Sequence, residues 1–361
     1  MSRNGSFQGP KQEILQPCTP SHVPPYLLPY IQAQAKHGMT VIPVHHFGNT
    51  PKLRHLLGMR RGDYGVVGFM ASSKTNIAAF REITQSFPLL VADVAEEFHL
   101  NMPLINGGGT WKGEAPDHET GLMGHWAWAA TRHGRQARMI IMESLLEKEG
   151  LPVSRGITVC LLRHTNCIGD RGDALIKVGA LFPVLPGGIG TTNEETALLT
   201  EGIIGVDDFK RFALFYDPLV TDPYTGETKR LLGHTLDDRS FRNNLGTISD
   251  YAARKVNSHA VVYQPGAGLS IAQQREEMLS ITLAFRAAAP FFDRSARYTA
   301  VPQACLDKYV KPLSPTSRLV PVFARHPIGI PLVHPALKEI LQPFLKKPAE
   351  HQPNGTHTPS P

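Results

Sequence analysis

The chain has 361 residues, 42% hydrophobic and 19% charged, an ordinary globular composition that excludes a wholly disordered protein. Its net charge of +6 is modest and dispersed, suited to anionic small molecules and too weak to argue for nucleic acid. Four cysteines in this length make no disulfide framework, and no run of about 18 apolar residues offers a transmembrane helix.

The opening MSRNGSFQGPKQEILQPC lacks the apolar core of a signal peptide, so a cytoplasmic protein with no membrane partner is expected. Residues 1–61 read as a Pro-punctuated N-terminal extension. It holds a short helix from Tyr26 to His37 and a short strand from Met39 to Val44. His45 and His46 follow, and adjacent loop histidines read as a solvated pair rather than metal ligands. From Tyr64 apolar runs bounded by turn residues alternate with stretches of helical period. The expected strands are 64–70, 102–106, 137–142, 156–162, 180–185 and 211–216. Between them lie expected helices from Ile77 to Phe98, Leu122 to His133 and Asp170 to Val178. Alternating strands and helices predict an α/β fold, a doubly wound and mostly parallel Rossmann-like sheet over residues 62–265.

Residues 219–258 are polar and read as loop. A helical C-terminal extension over 266–347 opens with an amphipathic helix from Ser270 to Ala289, with Ile271, Met278, Ile281 and Phe285 on one side. A further helix is expected from His334 to Leu345, and residues 348–361 are expected to be disordered.

The strongest local signal is PGGIGTTNEE, Pro186 to Glu195, between an apolar strand and a helix. Its glycines allow close backbone approach, and the helix start beyond attracts an anion, typically phosphate. Thr191 and Thr192 add hydroxyls; the spacing is neither GxGxxG nor a Walker loop, and a generic Gly-rich turn reads equally well from this segment alone. Gly107, Gly108 and Gly109 form a second glycine cluster after a strand, with Gly121-Leu122-Met123-Gly124 further on. Arg171 stands near the start of the helix before the PGG strand, which would aim it at the C-terminal edge of the sheet; a surface Arg is the alternative. Glu194 lies about one turn into the helix after the loop, where a carboxylate is also commonplace as a favourable charge on the helix dipole. Cys160, His164 and Cys167 have a metal-like look, but alternation along a strand would split them, so no metal is expected.

Together these residues resemble the Lonely Guy (LOG) family of phosphoribohydrolases, once labelled lysine decarboxylases, which joins a GGG-x-x-GLMG loop to an Arg-bearing helix and a PGG-x-GT-x-x-E motif. PGGIGTTNE matches the last motif at every fixed position, and Arg171 lies fifteen residues before Pro186, the family spacing. FMASS (69–73) stands where the family has its first-strand Ser pair, and MESLLEKE (142–149) is similar to the segment after the third strand. The chain departs from the pattern where the eleven residues Thr110 to Thr120 separate GGG from GLMG, where Arg-Lys is Arg171-Gly172, and where Cys-Gly is Met70-Ala71.

The resemblance implies hydrolysis of the N-glycosidic bond of a nucleoside 5′-monophosphate to free base and ribose 5-phosphate, without a cofactor. It implies Glu194 and Arg171 as catalytic residues and Gly187, Gly188, Gly190 and Thr191 as the phosphate cradle. Gly108, Gly109, Gly121, Gly124 and Ser72 would contact the nucleotide, Trp111 in the insertion is a further candidate, and a homodimer is implied. Two other readings use the same sheet: a nucleotide- or cofactor-binding module without turnover, and an enzyme of specialised metabolism acting on an unusual nucleotide. Lys177 lacks the context of a pyridoxal-phosphate lysine.

Overall fold

The computed structural model describes residues 23, 25–44, 50–71, 78–109, 121–131, 136–152, 154–163, 168–188, 190–191, 193–195, 197–198, 211–221, 226, 228–230, 259–293 and 296–321. The expected helix at 334–345 and the tail from 348 lie outside these residues.

The chain begins with α1 (Leu27–Lys36), β1 (Thr40–Val44) and α2 (Thr50–Leu56). The central run is β2 (Val66–Gly68), α3 (Ala78–Glu97), β3 (Leu104–Asn106), α4 (Leu122–Thr131), β4 (Ala137–Met142), α5 (Glu143–Glu149), β5 (Ile157–Leu162), α6 (Ile168–Val178) and β6 (Leu181–Val184). A helical stretch then carries Gly190, Thr191, Glu194 and Glu195. Beyond it come β7 (Phe212–Tyr216), β8 (Leu219–Thr221), β9 (Thr228–Arg230), β10 (His259–Gln264), α7 (Ile271–Phe292), α8 (Gln303–Tyr309) and β11 (Arg318–Pro321).

Nine strands form one sheet in the order β1-β5-β4-β3-β2-β6-β7-β10-β11. All neighbours pair in parallel except β10 and β11, which run antiparallel at one edge. This is the expected α/β, Rossmann-like architecture, with the six predicted strands in place and β6 interior between β2 and β7.

Both faces of the sheet are covered, which is why its strands read as nearly continuous apolar runs. Alternation along each strand divides the core. Val66, Met139, Ile141, Val159, Leu161 and Leu214 pack with residues of α3, α4 and α7 on one side. Val67, Ile140, Cys160, Leu162, Phe182 and Phe215 pack with residues of α2 and α6 on the other.

Several strands go beyond the expected set. Within 219–258, read as loop, β8 and β9 form a small antiparallel pair. The apolar alternation of β10 and the short β11 is weak as a signal because each is brief and follows a long polar or Pro-rich stretch. β1, expected as a short strand from Met39 to Val44, and β11 close opposite edges of the sheet. The N-terminal segment is also tied by side chains: Tyr26 donates to Glu143 Oε1, and Arg163 Nε donates to Glu143 Oε2 at 2.7 Å.

Helix α7 starts from a capping box. Gln273 N–H donates to Ser270 Oγ at 3.3 Å, and Ser270 N–H donates to Gln273 Oε1 at 2.9 Å. Its burial exceeds what an amphipathic stripe implies. From Met278 to Phe285 the helix is buried all round, and Phe285 stacks on Phe212 with ring centroids 4.7 Å apart. Such a pair adds about 0.5–1.5 kcal/mol beyond its buried area, fixing the helix to β7.

The strand order sets the position of the site. From β2 the chain winds outward through β3, β4 and β5, then returns to the other side of β2 as β6. Between β2 and β6 the winding reverses, and in open α/β sheets ligands bind at the carboxyl ends of the strands at such a point.

Candidate functional site at the carboxyl edge of the sheet

Three loops meet at this reversal, and backbone hydrogen bonds lock them together. Ala71 N–H after β2 donates to Pro186 O after β6 at 3.1 Å, and Met123 N–H in α4 donates to Ala71 O at 3.1 Å. Asn106, buried at the end of β3, completes the frame. Its Nδ2 donates to Met123 O at 2.7 Å, and its Oδ1 accepts from Gly108 N–H at 3.0 Å. One side chain thus joins the GGG turn to the GLMG helix start across an insertion that separates them in sequence. Gly107, Gly108, Gly109, Gly121 and Gly124 are all buried here, and Gly108 has φ +78°, which suits glycine.

Arg171 sits in the first turns of α6, 6% exposed, and reaches the same edge. Its Nη2 donates to Glu194 Oε1 at 3.0 Å. The guanidinium lies against Gly107 so closely that a Cβ there would stand 2.0 Å from Nη2. The first glycine of GGG is therefore the space that Arg171 occupies. Arg171, expected at the C-terminal edge of the sheet, thus lies against the first glycine of GGG and is buried, not the surface arginine of the alternative reading.

Glu194 is 7% exposed. Burial pushes its carboxyl up to about 7; Arg171 pulls it down and Glu149, from the end of α5, pushes it up again. Glu195 beside it is equally buried and pushed up to about 8, by burial and by the Glu194 charge. Glu194 Oε2, Glu195 Oε2 and Arg171 Nε are buried and have no hydrogen-bond partner among the described residues. Orphaned polar atoms of this kind are costly in a closed core, and they mark this cluster as a place where a ligand's polar groups would be satisfied.

The PGG turn divides its glycines into two kinds. A Cβ on Gly187 would meet Thr191 Oγ1 at 2.0 Å, because the buried Thr191 side chain folds back over it. Gly188 and Gly190 face no atom within 4 Å of a Cβ among the described residues. Gly187 is thus required by the turn itself, whereas a Cβ on Gly188 or Gly190 would meet none of the described residues.

Sequence reasoning misses Glu195, Glu149 and Asn106. Glu195 is visible as the second acid of NEE, and Asn106 as the polar end of an apolar strand. Ser72, Trp111, Thr192, His45, His46, His164, Cys167 and the insertion Thr110–Thr120 lie outside the described residues. Cys160 is buried among Leu162 and Ile140, and no group of three or more metal-ligating side chains occurs among the described residues. No helix among them is long and apolar enough to cross a membrane.

A cleft of about 500 Å³ opens at the opposite, amino end of β3 and β4, beside Asp63, Glu96, His99 and Arg138. Arg138 is committed there to the backbone, donating to Leu57 O at 2.7 Å and Gly58 O at 3.4 Å, so the cleft lies away from the carboxylate cluster and its cation is a structural tie.

No family model and no curated protein matches the chain. Among solved structures, one titled as the X-ray structure of TM1055, a structural genomics consortium target, is 16% identical, with a TM-score of 0.30. The match covers 42% of this chain and 72% of that one. At this depth it has no bearing on activity. The fold and site define a Rossmann-like α/β protein with a buried Arg–Glu pair at the carboxyl edge of its sheet.

Proposed function

We propose that the chain hydrolyses the N-glycosidic bond of a nucleoside 5′-monophosphate, giving free base and ribose 5-phosphate. The observation that carries this reading is the buried Arg171–Glu194 pair beside the PGG turn, with one carboxylate oxygen, Glu194 Oε2, that has no partner among the described residues. Binding a phosphate requires no buried carboxylate; stabilising positive charge at an anomeric carbon does. The motifs supply the rest of the support. Gly188, Gly190 and Thr191 would hold the 5′-phosphate at the helix start, and Glu194 would face the sugar. As the bond breaks, its electron pair leaves with the base and charge develops on the ribose. Glu194 stabilises that charge and orients a water that adds to the anomeric carbon, the water's proton ending on the base. Arg171 fixes the carboxylate. The resemblance also implies a homodimer, which light scattering would register as twice the chain mass.

The test is a panel of nucleoside monophosphates with chromatography for free base. At least one is expected to be cleaved, and its nucleoside, lacking the phosphate, to react far more slowly. Equal rates with and without the 5′-phosphate would remove the cradle. Binding with no free base from any member would leave a nucleotide-binding module instead.

The two open glycines give a sharper check. Neither Gly188 nor Gly190 has positive φ, and among the described residues each has space for a methyl group. Gly190→Ala in a helical turn is expected to hold or raise the melting temperature, since Ala is favoured over Gly there by up to about 1 kcal/mol. If these positions face phosphate, either alanine raises KM by about tenfold or more at unchanged stability. Unchanged KM in both variants would move the phosphate elsewhere.

A further inference from the structure

The two carboxylates of the site outnumber the cation bonded to them. Glu194 and Glu195 are neighbours on one helix, each 7% exposed, and each has an oxygen with no partner among the described residues. Among the described residues, Arg171 from α6 is bonded to Glu194 and not to Glu195. Glu149 from α5 acts on Glu194 as a further negative charge, and Glu194 is the charge that acts on Glu195. Two ionised carboxylates so placed would put an unmatched charge in the core, which proteins avoid by taking up a proton.

We propose that Glu195 holds a proton at neutral pH, so that the Glu194–Glu195 pair carries one negative charge, matched to the guanidinium of Arg171. Glu194 keeps the charge because it has the cation; Glu195, next to it, has none among the described residues. Glu195 is then a positioning residue. It touches no reacting atom, but it keeps Glu194 the single anion of the pair and spares their helix a second buried charge. Its consequence for catalysis rests on the nucleotide-hydrolase reading; the charge state itself is measurable without substrate.

The experiment labels glutamate at Cδ with ¹³C in the full chain. The carboxyl resonance lost in Glu195→Gln identifies Glu195, and that lost in Glu194→Gln identifies Glu194. The Glu195 signal is expected at the protonated position at pH 7 and to move only near pH 8, whereas a carboxylate position at pH 7 would overturn the proposal. The second measurement is thermal melting of wild type and Glu195→Gln from pH 5 to pH 9. A carboxyl protonated in the fold and ionised in the unfolded chain stabilises fully below the unfolded value of about 4.5 and loses that contribution as pH rises through about 8. The amide titrates in neither state, so Glu195→Gln should gain on wild type by a few degrees across that range; a flat difference would also overturn the proposal. Finding no cleavable nucleotide would defeat the functional reading and leave both measurements standing.

Discussion

Glu194→Gln is expected to lower turnover by about 10²–10⁴-fold while KM changes little. Gln keeps the shape and an acceptor for Arg171 Nη2 but cannot carry the charge that the proposed oxocarbenium-like transition state needs. Most of the effect falls on kcat because the charge matters only once the bond begins to break. The structure adds a pH dependence. With the Glu194 carboxyl pushed up to about 7 by burial, kcat/KM of the wild type should rise with pH through about 7 as the anion forms. Stability should move the other way. A carboxyl raised in the folded state contributes stability fully below its ordinary value of about 4.5 and loses it as pH rises through about 7. At pH 8 the Gln variant should therefore melt no lower than wild type while being nearly inactive. A glutamate present only to favour the helix dipole predicts the opposite: a loss of about 0.3–1 kcal/mol in stability and no change in rate. Kinetics and melting on one variant separate the two, and near wild-type turnover would remove Glu194 from the mechanism.

Gly107→Ala should be nearly as damaging as Arg171→Ala, although a methyl group carries no chemistry. Its Cβ would stand 2.0 Å from Arg171 Nη2 and 2.8 Å from Cζ, so the guanidinium has to leave its place. Losing or displacing that cation removes the one influence that lowers Glu194, so the acid limb of kcat/KM should shift above about 7 in both variants. A fall in kcat/KM of about 10²-fold or more is expected, shared between KM and kcat if Arg171 also contacts the sugar phosphate. The stability cost should stay below the roughly 3–5 kcal/mol of breaking a buried ion pair, because Glu194 can take a proton instead of remaining charged. Wild-type kinetics in Gly107→Ala would show that the position of the Arg171 guanidinium is unimportant to the reaction.

Much of the architecture follows from local pattern. The runs YGVVGFM, ARMIIM, GITVCLL and RFALFYDP are long, apolar and flanked by turn residues. A strand covered on both faces has few other ways to be written. The PGG turn stands out in the same way, whereas Arg171 and Glu194, each with a plainer reading on its own, are singled out by the family resemblance. What the sequence determined was therefore the set of parts: a wound parallel sheet, glycine turns at strand ends and, through the resemblance, one Arg and one Glu as candidates. Tertiary structure decided which polar groups share the buried space. Whether Glu195 faces solvent or core depends on where the fold sets its helix, which Arg171 of α6 meets through Glu194, not on the letters NEE. Asn106 gains its role because the fold brings Met123 O and Gly108 N–H within reach of one amide, across the insertion that separates them in the chain. Whether short segments such as β1 and β11 pair at all depends on the edges offered by β5 and β10, since a strand of four or five residues has too little pattern of its own to fix a partner.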